Sequence, residues 1–214
     1  MNHSHFRKAL LFGVAVTTSL LAAAQANMSE VLRGTTPLTF IGLDFSAARF
    51  TARYDFAELD QQGANYLMRW NGLMEAEWAK FNMAEPMKLA DAPTKTLYVQ
   101  EINAAVDLSK AWGNGGTAFD LSRIPAMVER YATQDREGVG CVFIVAEFNK
   151  GALMGDFYVV FFDMKSKAML HTEHIVGKPV GFGLRNFWAG AVYDALKQIK
   201  STYRRLWEQK YLKN

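Results

Sequence analysis

Apolar and polar residues change their spacing several times along the chain, and each change marks an element. Leu38 to Phe50, "LTFIGLDFSAARF", follows Pro37 and is rich in β-branched and aromatic residues. Its apolar side chains fall on both parities, as expected for a strand covered on both faces, with Asp44 and Ser46 as polar exceptions. From about Gln61 to Leu89 the period lengthens: Leu67, Trp70, Met74, Trp78 and Phe81 recur between Arg69, Glu75, Glu77 and Lys80. That spacing predicts an amphipathic helix with an aromatic core stripe, ended or kinked at Pro86. "TLYVQEINAAV", Thr96 to Val106, reads as a second strand.

The next segment, 107–121, carries Trp112, Gly113, Gly115 and Gly116 and has little reason for regular structure. A loop of this length is functional or mobile. Asp120 or Ser122 then caps a helix reaching about Gln134, with Ile124, Met127, Val128 and Tyr131 on its inner face. Three strands follow: "GCVFIVAEF", apolar on both parities and so central, then "DFYVVFFD" and "KAMLHTEHIV", the last two joined by a short polar hairpin. A long amphipathic helix from near Leu184 to about Leu212 closes the chain. Trp188, Val192, Ala195, Ile199, Leu206 and Trp207 form its apolar stripe, and Asp194, Lys197, Lys200, Arg204, Arg205 and Glu208 lie elsewhere. The pattern predicts one α/β (α+β) sandwich: a mixed, largely antiparallel sheet of about five strands, three helices, and no interdomain linker or repeat.

The amino-terminal residues change the picture of where this domain works. His3, His5, Arg7 and Lys8 open the chain, an apolar run spans Ala9 to Ala23, and Ala24-Gln25-Ala26 places small residues where signal peptidase needs them. Residues 1–26 thus read as a cleavable export signal, leaving 27–214 as a single periplasmic or secreted domain. The run is too short for an anchoring span, which needs ~20 residues. No later segment is long and apolar enough to span a membrane. Without Arg7 and Lys8 the charge is near balance, so no nucleic-acid surface is indicated. Cys141 is the single cysteine, set in an apolar run, and reads as a small buried hydrophobe.

The order of elements, with the segment "YVVFFDMKSKAMLHTEHIVG" followed by "NFWAGAVYDALKQI", resembles secreted envelope α/β domains. These are domains of the TolB amino-terminal, CsgG and LpoB-like kind. The resemblance implies a non-catalytic role, binding other envelope proteins or assembling with further copies of itself. It assigns no functional residue. No lipid-anchor cysteine stands near the cut, unlike several members of that group.

Candidate chemistry is sparse. His171, Glu173 and His174 offer metal-ligand types, but residues three apart on a strand face opposite sides, and no third ligand has recognisable spacing. Gly177, Lys178, Gly181, Phe182, Gly183 and Arg185 suggest an anion site, yet Asn186 stands where a dinucleotide fingerprint wants glycine. A strand-to-helix joint explains that stretch better. Asp44, Ser46 and a histidine lack the elbow motif of a hydrolase, and Asp44, Asp55, Asp156 and Asp163 are the acids a paired-carboxylate enzyme would draw on. The carboxyl-terminal lysines and arginines read as a solvated helix face. No motif calls for a metal or a cofactor. The expectation is a binding or assembly module that meets an envelope protein, or a second copy, through Trp112, Gly113, Gly115, Gly116, Lys178, Phe182 and Arg185. A small-molecule or lipid carrier is the alternative, and a hydrolase a more distant one.

Overall fold

A computed structural model of the chain describes residues 26–113, 115 and 118–213. The predicted export signal lies outside these residues apart from Ala26. Helix α1 (Met28–Arg33) is capped by Asn27, whose side chain accepts from the Glu30 amide. Strands β1 (Leu38–Asp44) and β2 (Arg49–Thr51) follow. Next come α2 (Ala57–Gln62), α3 (Asn65–Ala76), α4 (Ala84–Met87), α5 (Leu97–Ala104), the short β3 (Trp112–Gly113) and α6 (Ile124–Val128). The chain ends with β4 (Val139–Asn149), β5 (Met154–Asp163), β6 (Met169–Gly177), α7 (Leu184–Gln198) and α8 (Arg204–Tyr211).

The sheet has six strands, ordered β3-β2-β4-β5-β6, with β1 beside β2 on the same edge of β4. The antiparallel β4-β5-β6 meander matches the sequence pattern, while β1, β2 and β3 run parallel to their neighbours. β4 and β5 are apolar on both sides because each face is roofed by helices. Phe143, Val145, Phe157 and Phe161 pack toward α1, α3, α7 and α8; Val142, Ile144, Val160 and Phe162 pack toward α5 and α6. Cys141 is fully buried and its thiol pKa is pushed up by burial, so it is a packing residue.

Several sequence expectations are corrected. The segment 38–50 is two strands, because its polar exceptions make a turn: Asp44 Oδ1 accepts from the Ser46 amide at 2.7 Å, and the Ala48 amide returns to the Phe45 carbonyl. The segment 96–106, expected as a strand, instead holds helix α5 (Leu97–Ala104). The buried positions are Tyr98, Val99, Ile102 and Asn103, a helical face that the β-rich composition hides. The helix expected over 61–89 is broken into α2, α3 and α4. α3 ends at Ala76, and Asn82 ties the turn that leads to α4 by donating to the carbonyls of Trp78 and Ala79 and accepting from the Glu85 amide, a side-chain substitute for helix bonds. Trp78, expected in the core stripe, is 65% exposed.

The helix expected to reach Gln134 ends at Val128, though Ile124, Met127, Val128 and Tyr131 are buried as the pattern predicted. The 107–121 segment carries short turns capped by Asp107 and Asp120, and β3 within it pairs with β2. In the closing helix a π turn over Ile199–Tyr203 separates α7 from α8. The extra residue it accommodates slips the stripe by one position. Arg204, expected on the solvated face, is therefore buried, and Leu206, expected in the stripe, is exposed. Arg204 Nη2 donates to the Leu32 carbonyl at 3.0 Å, closing the last turn of α1 onto α8.

The outer edge of β1 has no long strand beside it. Phe40 exchanges backbone bonds with Pro93 and Lys95. Beyond it, Gly42 (φ 92°) lets the strand bulge, and two buried asparagines take over. Asn71 on α3 accepts from the Leu43 amide at 2.7 Å and donates to the Leu43 carbonyl at 2.9 Å. Asn103 on α5 donates to the same carbonyl at 2.8 Å and accepts from the Phe45 amide at 2.8 Å. A Cβ on Gly42 would lie 2.4 Å from Asn71 Oδ1. Replacing Asn71 or Asn103 by Leu strands buried backbone groups, each costing about 1–3 kcal/mol. Urea unfolding of either variant is expected to show a loss of roughly 2–4 kcal/mol, whereas a change below ~0.5 kcal/mol would show the bracket to be dispensable.

Candidate functional site

The strand directions bring the two loops singled out in the sequence to one end of the sheet. β2, β3 and β4 finish there, β5 begins there, and β6 ends opposite Gly155. Trp112 is half-buried, with Phe50 and Phe56 at ring distances of 5.9 and 6.4 Å and the Arg53 guanidinium 5.2 Å over its ring. Gly113 pairs with Thr51. Gly115 sits over the sheet so closely that a Cβ would meet Asn149 Nδ2 at 3.1 Å. Gly116 lies outside the described residues.

The turn between β6 and α7 is anchored at its base. The Lys178 amide donates to Asp194 Oδ2 at 3.1 Å, and the Arg185 carbonyl accepts from Trp70 Nε1 at 3.0 Å. Glycine is needed where this joint presses on the helix: a Cβ on Gly177 would lie 2.0 Å from the Ala191 carbonyl oxygen, and one on Gly190 2.2 Å from that of Val180. At the apex Phe182 is 96% exposed between Gly181 and Gly183, and Val180 is exposed beside it. A shallow groove of about 170 Å³ joins Phe182 and Arg185 to Glu58, Tyr66 and Arg69. Tyr54, which the sequence analysis did not single out, is also exposed and lies two residues before Phe56, which stacks on Trp188 of α7 at 5.3 Å. The joint reading of 171–190 thus describes the backbone well, while its apex is left facing solvent.

A second feature escaped the sequence analysis. On the α5–α6 face, past the reach of those helices, the loop end of the sheet is polar. Thr51 and Asn149 both donate to Glu147, with Asn149 at 3.1 Å. Next along the row, Asp156 Oδ1 and His174 Nε2 are 2.6 Å apart, His174 stacks on Tyr158 at 4.8 Å, and Phe119 stacks on Tyr158 at 4.7 Å. Burial raises the Asp156 pKa, against the lowering effect of His174. The available signal was the pair Glu147 and Asn149 at the end of an otherwise apolar strand.

The late histidines do not converge. His174 faces that polar row, while His171 lies on the opposite face under α8, buried and not exposed. Tyr211 Oη and His171 Nδ1 are 3.0 Å apart, and Glu173 Oε2 is 3.4 Å from Nε2 without hydrogen-bond geometry. Trp207 Nε1 donates to the same Glu173 oxygen at 2.9 Å. Among the described residues no three His, Cys, Asp or Glu side chains are placed to hold a metal ion, and no helix is long and apolar enough to cross a membrane. Asp44 is buried and accepts from the Tyr131 hydroxyl at 2.7 Å. Three strand spacings, roughly 14 Å, separate β1 from the β6 histidines, so Asp44, Ser46 and a histidine form no triad. Asp163 caps the β5–β6 hairpin by accepting from the amides of Lys165 and Ser166, and Asp55 belongs to the turn before α2.

No protein-family model, no curated protein and no solved structure matches this chain.

His171 makes the α8 contact sensitive to acid. Burial lowers its pKa below the ordinary 6.5, outweighing the raising effect of Glu173, and Lys210 lowers it further. A histidine with a depressed folded pKa stabilises the fold fully above its unfolded pKa and loses that contribution as pH falls. Unfolding free energy is therefore expected to drop between about pH 6.5 and 5, and His171→Phe should flatten the curve over that window. A parent curve already flat there would refute the assignment.

Proposed function

We propose that the chain is exported and serves as a binding or assembly module of the cell envelope, meeting a protein partner through the loop end of its sheet. One observation carries this reading: Phe182 stands 96% exposed at the tip of a turn whose base is fixed to α7 and α3. A large apolar side chain held in water on a rigid base is the form of a binding anchor, since little order remains to be gained on docking. Val180 adds exposed apolar surface two residues before it, Arg185 and Lys178 supply charge on the same turn, and Tyr54 is a further exposed aromatic on the turn after β2. Export rests on residues 1–26, and the envelope setting on the element order that resembles other envelope domains. A second copy of the chain is the other occupant such a surface admits.

The small-molecule reading has one supporting observation. Trp78 stands at a surface groove of about 440 Å³ that also takes in Glu75, Asn82 and Pro93. An apolar ligand seen by native mass spectrometry and lost in Trp78→Ala would favour it over the docking reading.

Phe182→Ser and Tyr54→Ser touch no core and are expected to leave unfolding free energy within about 0.5 kcal/mol of the parent. A photoreactive residue at position 180, placed in cells that make the protein, is expected to give a discrete protein adduct. The double variant should lose it, as follows from a loss of roughly 2 kcal/mol or more at a binding anchor. An adduct of undiminished yield would count against the proposal.

A further inference from the structure

The turn that separates β1 from β2 borders an open cavity of about 310 Å³ on the α5–α6 face of the sheet. Ser46 and Arg49 line it from the turn, Asp107 and Lys110 from the segment after α5, and Arg123 from the turn before α6. It lies at the carboxyl end of β1, a strand parallel to its neighbour β4. The carboxyl ends of parallel strands are where α/β sheets receive ligands, because the chain leaves the sheet there and opens a crevice.

Three cationic side chains, Arg49, Lys110 and Arg123, and one acid, Asp107, line the cavity. Asp107 is engaged by the Ser109 amide at 3.1 Å, the Ser109 hydroxyl at 2.6 Å and Lys110 Nζ at 2.9 Å. Among the described residues, Arg49 and Arg123 have no carboxylate within ion-pair distance. The acid opposite Arg49 in register, Glu147, is taken up by Thr51 and Asn149. Asp44, next to the cavity, is held by the Tyr131 hydroxyl and the Ser46 amide. The Arg49 stem runs against Gly113, where a Cβ would meet Cδ at 3.2 Å, so one side of the guanidinium is supported. Two guanidinium groups without a carboxylate partner, with the Lys110 ammonium beside them, make a donor set for an anion.

We propose that this cavity binds a small anion bearing a phosphoryl or carboxylate group, held by Arg49 and Arg123 with Lys110 at the rim. Its volume falls at the low end of ligand sites, about 300–1,000 Å³, which suits a metabolite-sized anion and excludes a polymer. The site is separate from the Phe182 apex and does not depend on the docking role proposed for it.

The test is a titration of the exported chain with inorganic phosphate, and separately with succinate, at constant ionic strength, followed by backbone amide shifts. Saturable shifts confined to residues 45–49, 107–111 and 121–124 are expected, with a dissociation constant of about 1 mM or tighter. Response to phosphate, to succinate or to both decides which group the site takes. Arg123 is exposed, so Arg123→Ala keeps the fold and is expected to weaken binding about tenfold, the loss of one charge-assisted bond. Arg49→Lys should weaken it too, since an ammonium cannot make the paired contact, and Phe182→Ser should leave it unchanged. No saturable response to either anion, an equal response to chloride, or full binding in the Arg49→Ala/Arg123→Ala double variant would overturn the proposal.

Discussion

The architecture turns on two asparagine side chains that do the work of a missing strand. β1 must bond to β4 on one edge, yet its other edge is buried under α3 and α5, where an unpaired peptide group is costly. Asn71 and Asn103 satisfy that edge through Leu43 and Phe45. Each amide offers a donor and an acceptor, so each can answer a peptide unit. Because the two asparagines come from different helices, the same bonds fix α3 and α5 against the sheet. The bulge at Gly42 is the local adjustment that lets Asn71 approach.

On the other face the constraint is close approach. α7 lies across β6 and the turn after it, with glycine at two close approaches: Gly177 against Ala191 and Gly190 against Val180. That brings Trp188 onto Phe56 and Phe148, with ring distances of 5.3 and 4.5 Å, and both pairs are stacked. Stacked aromatic contacts of this kind join the turn after β2, the end of β4 and the start of α7 into one rigid base. The π turn passes the packing on to α8, where Arg204 closes α1 and Trp207 meets Phe161 and Glu173.

Surface chemistry follows from where that helical cover stops. α5 and α6 roof only part of their face, so the uncovered strand ends carry Thr51, Glu147, Asn149, Asp156 and His174 in place of apolar residues. The β1–β2 turn interrupts the sheet beside this row and leaves Arg49 and Ser46 lining a cavity. The exposed apex at Phe182 stands at the same end, on a different loop. One end of the sheet thus holds an apolar protrusion, and the face beside it a polar recess.

The sequence by itself determined the β4-β5-β6 meander, the long closing helix, the α/β layering and the burial of Cys141. In each case a long run of one period left only one way to hide its apolar face. It also picked out Phe182, because glycines on both sides mark a turn that presents its central residue. Tertiary structure alone decided the rest. The segment 96–106 has strand-like composition, yet its residues 97–104 form a helix whose buried face presents Asn103 to β1's edge. Arg204 goes inward because a π turn shifts the stripe. The cavity residues come from three separated segments, and only the meeting of those segments in space gives them a common purpose.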